Sequence, residues 1–114
     1  MLFYGTMILY LKRGAFMLTT KQKVYLRSLA QGIKPVAQIG KEGLSDNLME
    51  MVLSYLNKHE LMKISILQNS FVTKEEAMEF FQSEDIEFVQ SIGRQIVLYK
   101  QSDDAIDPIK FPKR

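Results

Sequence analysis

Apolar positions along the chain recur with two periods, one helical and one alternating, and the switches between them mark out a series of elements. Leu26, Leu29, Ala30 and Ile33 keep helical spacing. Ahead of them Thr19 and Gln22 stand three residues apart, the form of a capping box in which each side chain satisfies an orphan donor of the first turn. Gly32 and Pro35 end this helix. Residues 36–39 are a short apolar run, read as a strand, and residues 40–43 (Gly-Lys-Glu-Gly) are a tight loop. Ser45 caps a second helix, in which Leu48, Met51, Val52, Tyr55 and Leu56 form one stripe. Residues 61–67 alternate, with Met62, Ile64 and Ile66 to one side and Lys63 and Ser65 to the other. Thr73 and Glu76 form a second capping box, opening a helix through Phe81. Glu75, Glu76 and Glu79 come early in it, where the helix dipole favours negative charge. Residues 87–92 and 95–100 are two strands joined by the hairpin turn Gly93-Arg94.

The order α-β-α-β-α-β-β describes an α/β chain of the α+β sandwich kind, with a four-stranded mixed sheet. Strands joined through helices are expected to run parallel, by right-handed crossovers, and the last two to form an antiparallel hairpin. The apolar stripes place the helices on one sheet face. The other face, with Gln38, Lys63, Ser65 and Tyr99, is expected to be more polar. One domain over residues 17–100 accounts for all of these elements. Residues 101–114 carry three acids and two prolines and read as a C-terminal tail. Residues 1–16 read as an N-terminal extension outside the domain, with Met17 a candidate first residue. Their apolar stretch precedes Lys12-Arg13, the reverse of the order in a secretory signal, and is far shorter than the roughly 20 residues that span a bilayer. No membrane role is expected, and the expected compartment is the cytoplasm.

Charge becomes informative once it is divided. The net value of +2 conceals a segment, residues 68–90, with one base and six acids, while residues 18–67 hold seven bases and four acids. Concentrating the acids leaves the rest of the surface basic, which favours a polyanionic partner. The chain has no cysteine and one histidine, His59. Disulfides, thiol catalysis and cysteine-based zinc sites are thereby excluded, and one histidine builds no histidine metal cluster.

Four groups of residues carry candidate chemistry. Gly40, Lys41, Glu42 and Gly43 lie between a strand and a helix start. Glycines there allow close approach to backbone amides, the helix terminus adds free N–H groups, and Lys41 adds a full charge. RNA-binding KH domains clamp a nucleic-acid backbone with a G-x-x-G loop of this kind. A plain turn with positive φ at its glycines is the competing account. Lys23, Arg27 and Lys34 fall in a narrow sector of the first helix and its extension, and a solvated face explains them equally well. His59-Glu60 precedes a strand with no nucleophile, second carboxylate or metal partner nearby in sequence, so a structural or capping role is expected. Arg94 in the hairpin either completes an efficient turn or projects towards a phosphate.

Taken together, several short motifs resemble one family. Leu18-Thr19, Lys21-Gln22 and Leu26-Arg27 are followed by Ile33-Lys34-Pro35-Val36, then Ile39-Gly40-Lys41-Glu42-Gly43-Leu44. His59-Glu60-Leu61-Met62-Lys63 and Ile92-Gly93-Arg94 with Val97-Leu98-Tyr99 complete the set. In this order they resemble the bacterial YhbY-type proteins, stand-alone CRM domains (chloroplast RNA splicing and ribosome maturation). The resemblance covers about residues 18–100. It implies a fold similar to the C-terminal domain of translation initiation factor three, and RNA binding. With no cysteine, one histidine and no nucleophile–base pairing, no enzymatic activity is expected; a monomer without cofactor is expected as well. The resemblance further implies large-subunit ribosomal RNA or pre-ribosomal particles as partner. The implied RNA contacts are the G-x-x-G loop, Gly40 to Gly43, flanked by Lys23, Arg27, Lys34 and Arg94. A ribosomal adaptor that touches only protein is the alternative, and the steepness of salt dependence separates the two.

Overall fold

A computed structural model describes residues 18–112. The N-terminal extension expected at residues 1–16 and the domain start expected at Met17 lie outside those residues. Seven elements follow in chain order: α1 (Thr20–Ala30), β1 (Ala37–Ile39), α2 (Asp46–His59), β2 (Leu61–Ile66), α3 (Lys74–Gln82), β3 (Glu87–Ile92) and β4 (Gln95–Tyr99). All three helix starts are fixed by side chains. Thr19 and Thr73 each form the full capping box, with Gln22 and Glu76, and Ser45 accepts from the amide of Leu48. Each such cap contributes about 1 kcal/mol.

The sheet order is β1-β2-β4-β3. β1 and β2, joined through α2, run parallel. β4 is antiparallel to both of its neighbours, and β3 is offset by one residue between Phe88 and Gln90. The hairpin's second strand therefore sits inside the sheet, and β3 lies at the edge.

Each face of the sheet carries its own core. On the front face α2 and α3 pack Val52, Leu56, Ala77 and Phe81 onto Ile39, Met62, Ile64, Ile66, Ile96 and Leu98. Met49 joins this core while Met51 is 42 % exposed, so the α2 stripe is rotated slightly from the one read off the sequence. On the back face α1 packs Leu26 and Ala30 against Leu61, Val89, Val97 and Tyr99. The expectation that all the helices cover one face is thus corrected: two do, and α1 crosses to the other. Ile96, Val97, Leu98 and Tyr99 are all buried. A strand apolar on both sides must be covered on both sides. Tyr99 belongs to the face anticipated as polar, but it lies beneath α1 and is 1 % exposed.

The tail does more than trail. Ile109 and Phe111 pack onto the back-face core, and the Phe111 ring meets Tyr25 and Tyr99 edge-on at 5.8 and 5.9 Å. Glu60 holds the tail in place. It ends α2 in a left-handed conformation (φ 66), is 2 % exposed, and accepts from the amides of Ser102 and Ile109 at 2.7 and 2.8 Å. The expected capping role of His59-Glu60 is what the structure gives Glu60. His59 stacks at a tilt on Tyr55. No helix among the described residues is long and apolar enough to cross a membrane.

Candidate nucleic-acid interface

One end of the sheet collects most of the candidate residues. β1 leaves the sheet at Ile39 beside Ile66, the last residue of β2, and the β3–β4 turn closes at the same end through the pair Ser65–Gln95. Gly40 to Gly43 follow as a turn, closed by the Gly43 amide donating to the Gly40 carbonyl at 3.0 Å. Lys41 and Glu42 form its exposed corner. The two glycines are not equivalent. A Cβ at Gly40 would make ordinary contact with Leu67, at 3.7 Å. Gly43 has φ +73, and its Cβ would lie 3.5 Å from the Val72 side chain. Only Gly43 is required as glycine by its backbone.

Two residues later Ser45 caps α2, so the turn leads directly into a helix N-terminus. The Ser45 hydroxyl takes the Leu48 amide and its carbonyl takes the Met49 amide. The amides of Asp46 and Asn47 precede the first intrahelical bond and remain available to an outside acceptor. Side-chain charge at this end is balanced rather than positive, since Glu42 and Asp46 offset Lys41 and Arg94. An anion would therefore be held here chiefly by backbone amides, with individual cations at its margin.

Arg94 is tied to this end. Its Nε donates to the Ile66 carbonyl at 2.9 Å and its Nη2 to the Leu67 carbonyl at 2.7 Å, while its own carbonyl accepts from Ile66. The side chain stays exposed. A guanidinium has five N–H donors, so those two bonds fix its position and leave others for a ligand.

Two of the candidate bases lie on the back side with α1. Lys23 and Arg27 sit one turn apart on α1, bordering the buried stripe of Leu26 and Ala30, with Lys23 half-buried and Arg27 exposed. Helix α1 ends at Ala30 with Gln31 as its cap, so Lys34 is not on a helical extension. It lies exposed in the connection leading to β1. Seven residues of chain separate Lys34 from Lys41, a reach of at most about 25 Å. Residues 18–39 as a whole carry four bases and no acid.

At the turn end of the back face, three polar residues lie side by side across β1, β2 and β4, namely Gln38, Ser65 and Gln95, one step from the Gly40–Gly43 turn and the Gly93-Arg94 turn, and the row ends on β3 with the exposed apolar Ile92. Lys63 stands half-buried in the next row. The expectation of a polar face holds at this end and fails beneath α1.

Hydrophobic patterning gives no role to Phe71. It follows Ser70 in the loop between β2 and α3 and is 96 % exposed. Its neighbour Val72 is the residue beside Gly43. The signal in the sequence is that it is an aromatic outside every stripe. No group of three or more metal-ligating side chains occurs among the described residues.

Residues 18–100 match the model of the CRS1/YhbY (CRM) domain. The chain is 42 % identical over 87 residues to the Bacillus subtilis protein YqeI, named a probable RNA-binding protein, covering 75 % of this chain and 91 % of that one. It is 34 % identical over 98 residues to an RNA-binding protein of Haemophilus influenzae, covering 85 % and 97 % of the two chains. The solution structure of SAV1595 from Staphylococcus aureus, described as a hypothetical protein with a proposed RNA-binding role, superimposes with a TM-score of 0.69 at 43 % identity. That comparison covers 84 % of this chain and all of the other. These relatives are named for binding RNA and not for any enzymatic activity. With the match spanning the whole sheet and all three helices, the chain belongs to the CRS1/YhbY (CRM) domain family.

Proposed function

We propose that this protein binds RNA without chemical turnover, and that its target is structured ribosomal RNA during assembly of the large subunit. The observation that carries the reading is the turn at the end of β1. It presents Lys41, Glu42 and the first amides of α2 at one corner of a molecule whose first 22 described residues hold four bases and no acid. Phosphates approach such a corner closely because Gly43 supplies the left-handed turn without a side chain. Lys23 and Arg27 extend the contact along the back side, Lys34 lies in the connection leading from them to β1, and Arg94 borders the turn. The names of the relatives support RNA as the polyanion, and the motif resemblance supports the ribosomal target.

Titration of a large-subunit ribosomal RNA fragment at several salt concentrations tests this. Four or five phosphate contacts give a log–log slope of about −3 to −4.5, from 0.7–0.9 counterions released per contact. Changing Lys23, Arg27, Lys34 or Lys41 singly to Ala is expected to reduce that slope by roughly one. Salt-independent binding, or no binding to ribosomal RNA, refutes the proposal.

A further inference from the structure

We infer that Phe71 is a stacking platform for one unpaired RNA base, held beside the turn that takes the neighbouring phosphate. The inference rests on the RNA-binding reading above and adds to it a preference for unpaired nucleotides.

Phe71 gains nothing from the fold in which it sits. Burying a phenylalanine side chain contributes about 1.5–3 kcal/mol, yet this ring is 96 % in water while its neighbours on both sides are tucked in. Nor is the loop loosely built. The Ser70 amide donates to the Leu67 carbonyl, the Val72 amide to the Ser70 hydroxyl, and Ser70 is itself buried. Arg94 grips the Leu67 carbonyl from one side, and the Thr73–Glu76 capping box fixes the other end. Residues on both flanks of Phe71 are thus pinned, so the ring is presented by a braced loop.

Position specifies the ligand. Leu67 lies beside Gly40 and donates its amide to the Ile39 carbonyl, and Val72 lies beside Gly43, so the loop runs along the turn with its Lys41 corner, while Arg94 holds the loop's first carbonyl. A base stacked on Phe71 would have its backbone within reach of the turn's amides and cations. Every base has a π-face, so one exposed ring suffices for stacking. A protein partner would ask for more, because buried aromatic anchors sit within a wider apolar patch. The loop beside Phe71 is mixed instead: Gln68 and Asn69 are exposed and polar, Leu67 and Val72 are partly buried, and Ile92, an exposed apolar residue at this end of the sheet, lies across β4 on the edge strand. In a fully paired duplex the bases are stacked on one another and unavailable, so the platform discriminates in favour of loops, bulges and single strands.

The test uses Phe71→Ala and Phe71→Trp in the full chain, with two RNA hairpins of equal length, one carrying a bulge of unpaired nucleotides and one fully paired in its stem and closed by a non-nucleotide linker. Phe71→Ala is expected to melt like the wild type, to lose about five- to a hundredfold in affinity for the bulged RNA, and to bind the paired RNA unchanged. The chain has no tryptophan, so Phe71→Trp is a single reporter. Its emission is expected to be quenched by the bulged RNA and unaffected by the paired one. If the wild type binds neither RNA, the RNA-binding reading fails. If the wild type binds and Lys41→Ala weakens it, while Phe71→Ala binds both RNAs normally and the Phe71→Trp emission does not move, the stacking inference alone is overturned. It is equally overturned if Phe71→Ala leaves RNA affinity intact and abolishes self-association seen by sedimentation, which would assign the ring to a protein contact.

Discussion

Replacing Glu60 by Gln is a demanding probe of how the tail is held. The two carboxylate oxygens take one backbone amide each, Oε2 from Ser102 and Oε1 from Ile109. Glutamine keeps the shape, but only one of its two terminal atoms accepts, and its NH2 group would face the second amide donor to donor. Charge-assisted bonds of this sort contribute about 1.5–3 kcal/mol each, so losing one and weakening the other costs about 2–4 kcal/mol if the tail stays docked. The tail has a second route, which is to let go. Release gives up both of these bonds as well as the packing of Ile109 and Phe111, and is offset by the conformational entropy that the freed tail recovers. Both side chains are half-buried, so that packing is worth about half of full burial, or about 2–3 kcal/mol for the pair. The docked route bounds the loss, and the expected destabilisation is about 2–4 kcal/mol, measured by urea denaturation with far-ultraviolet circular dichroism. Amide exchange tells the routes apart, because release deprotects Ser102 and Ile109 well below the global unfolding free energy. Glu60→Gly separates backbone from side chain. It relieves a left-handed residue by about 1 kcal/mol and still loses the carboxylate, so it too is expected to destabilise. A change under about 0.5 kcal/mol for Glu60→Gln with unaltered exchange, or a stabilised Glu60→Gly, would refute the account.

Tyr99 and Arg94 offer independent checks. Burial raises the Tyr99 phenol above its ordinary value, and the carboxylates of Glu60 and Glu87 raise it further. Below pH about 10 the phenol is protonated in both folded and unfolded chains and its contribution is constant; above it only the unfolded chain ionises, so stability falls by about 1.4 kcal/mol per pH unit until the folded value is reached. Tyr99→Phe is expected to flatten this alkaline decline in melts between pH 9 and 11, and an unchanged slope would place the phenol elsewhere. Arg94→Ala removes two bonds to the ends of β2 and its following loop, costing about 1–2 kcal/mol in denaturant melts. Arg94→Lys restores little of this because an ammonium cannot span both carbonyls, and full rescue by Lys would contradict the geometry.

Local signals were legible wherever a side chain answers to its near neighbours. Thr19 with Gln22, Ser45, and Thr73 with Glu76 announce three helix starts, and the structure builds each cap. The alternation of Met62, Ile64 and Ile66 gives the front of β2 correctly. What escaped depends on distant partners. Ile96 to Tyr99 is a continuous apolar run, the mark of a strand covered on both sides, whereas the helix stripes alone predict cover on one face. Strand order was silent for a related reason: a hairpin fixes that β3 and β4 pair, but not which of them lies against β2. Glu60 was legible as a cap, since it ends α2, but not as a clamp, since its acceptors serve residues more than forty positions away. In the candidate interface the G-x-x-G turn could be read from its spacing. Phe71 leaves only a negative signal there, an aromatic outside every stripe, because periodicity reports burial and exposure is what distinguishes it.

The crossing of α1 to the back face has an electrostatic consequence that a one-faced arrangement would lack. Packed side by side, helices stand about 8–10 Å apart, near the Debye length at physiological salt, and the bases of α1 would be partly cancelled by the acids of α3. With the sheet between them the two helices are separated by roughly twice that distance, since each layer stands about 10 Å from the next. Screening then leaves Lys23 and Arg27 free to attract a polyanion on the back side, and Glu79 on the front contributes little. Glu42 is the opposite case, an acid at the corner of the turn itself. Glu79→Lys is therefore expected to leave the salt dependence of RNA binding nearly unchanged. Glu42→Lys removes a repulsion and adds a phosphate contact, which should tighten binding and steepen the slope by about one. Glu76 is not a suitable probe, because its carboxylate accepts from the Thr73 amide and reversal would damage the cap of α3. If Glu79→Lys strengthens binding as much as Glu42→Lys, the polyanion reaches the front face, and separation of charge by the sheet is not what directs it.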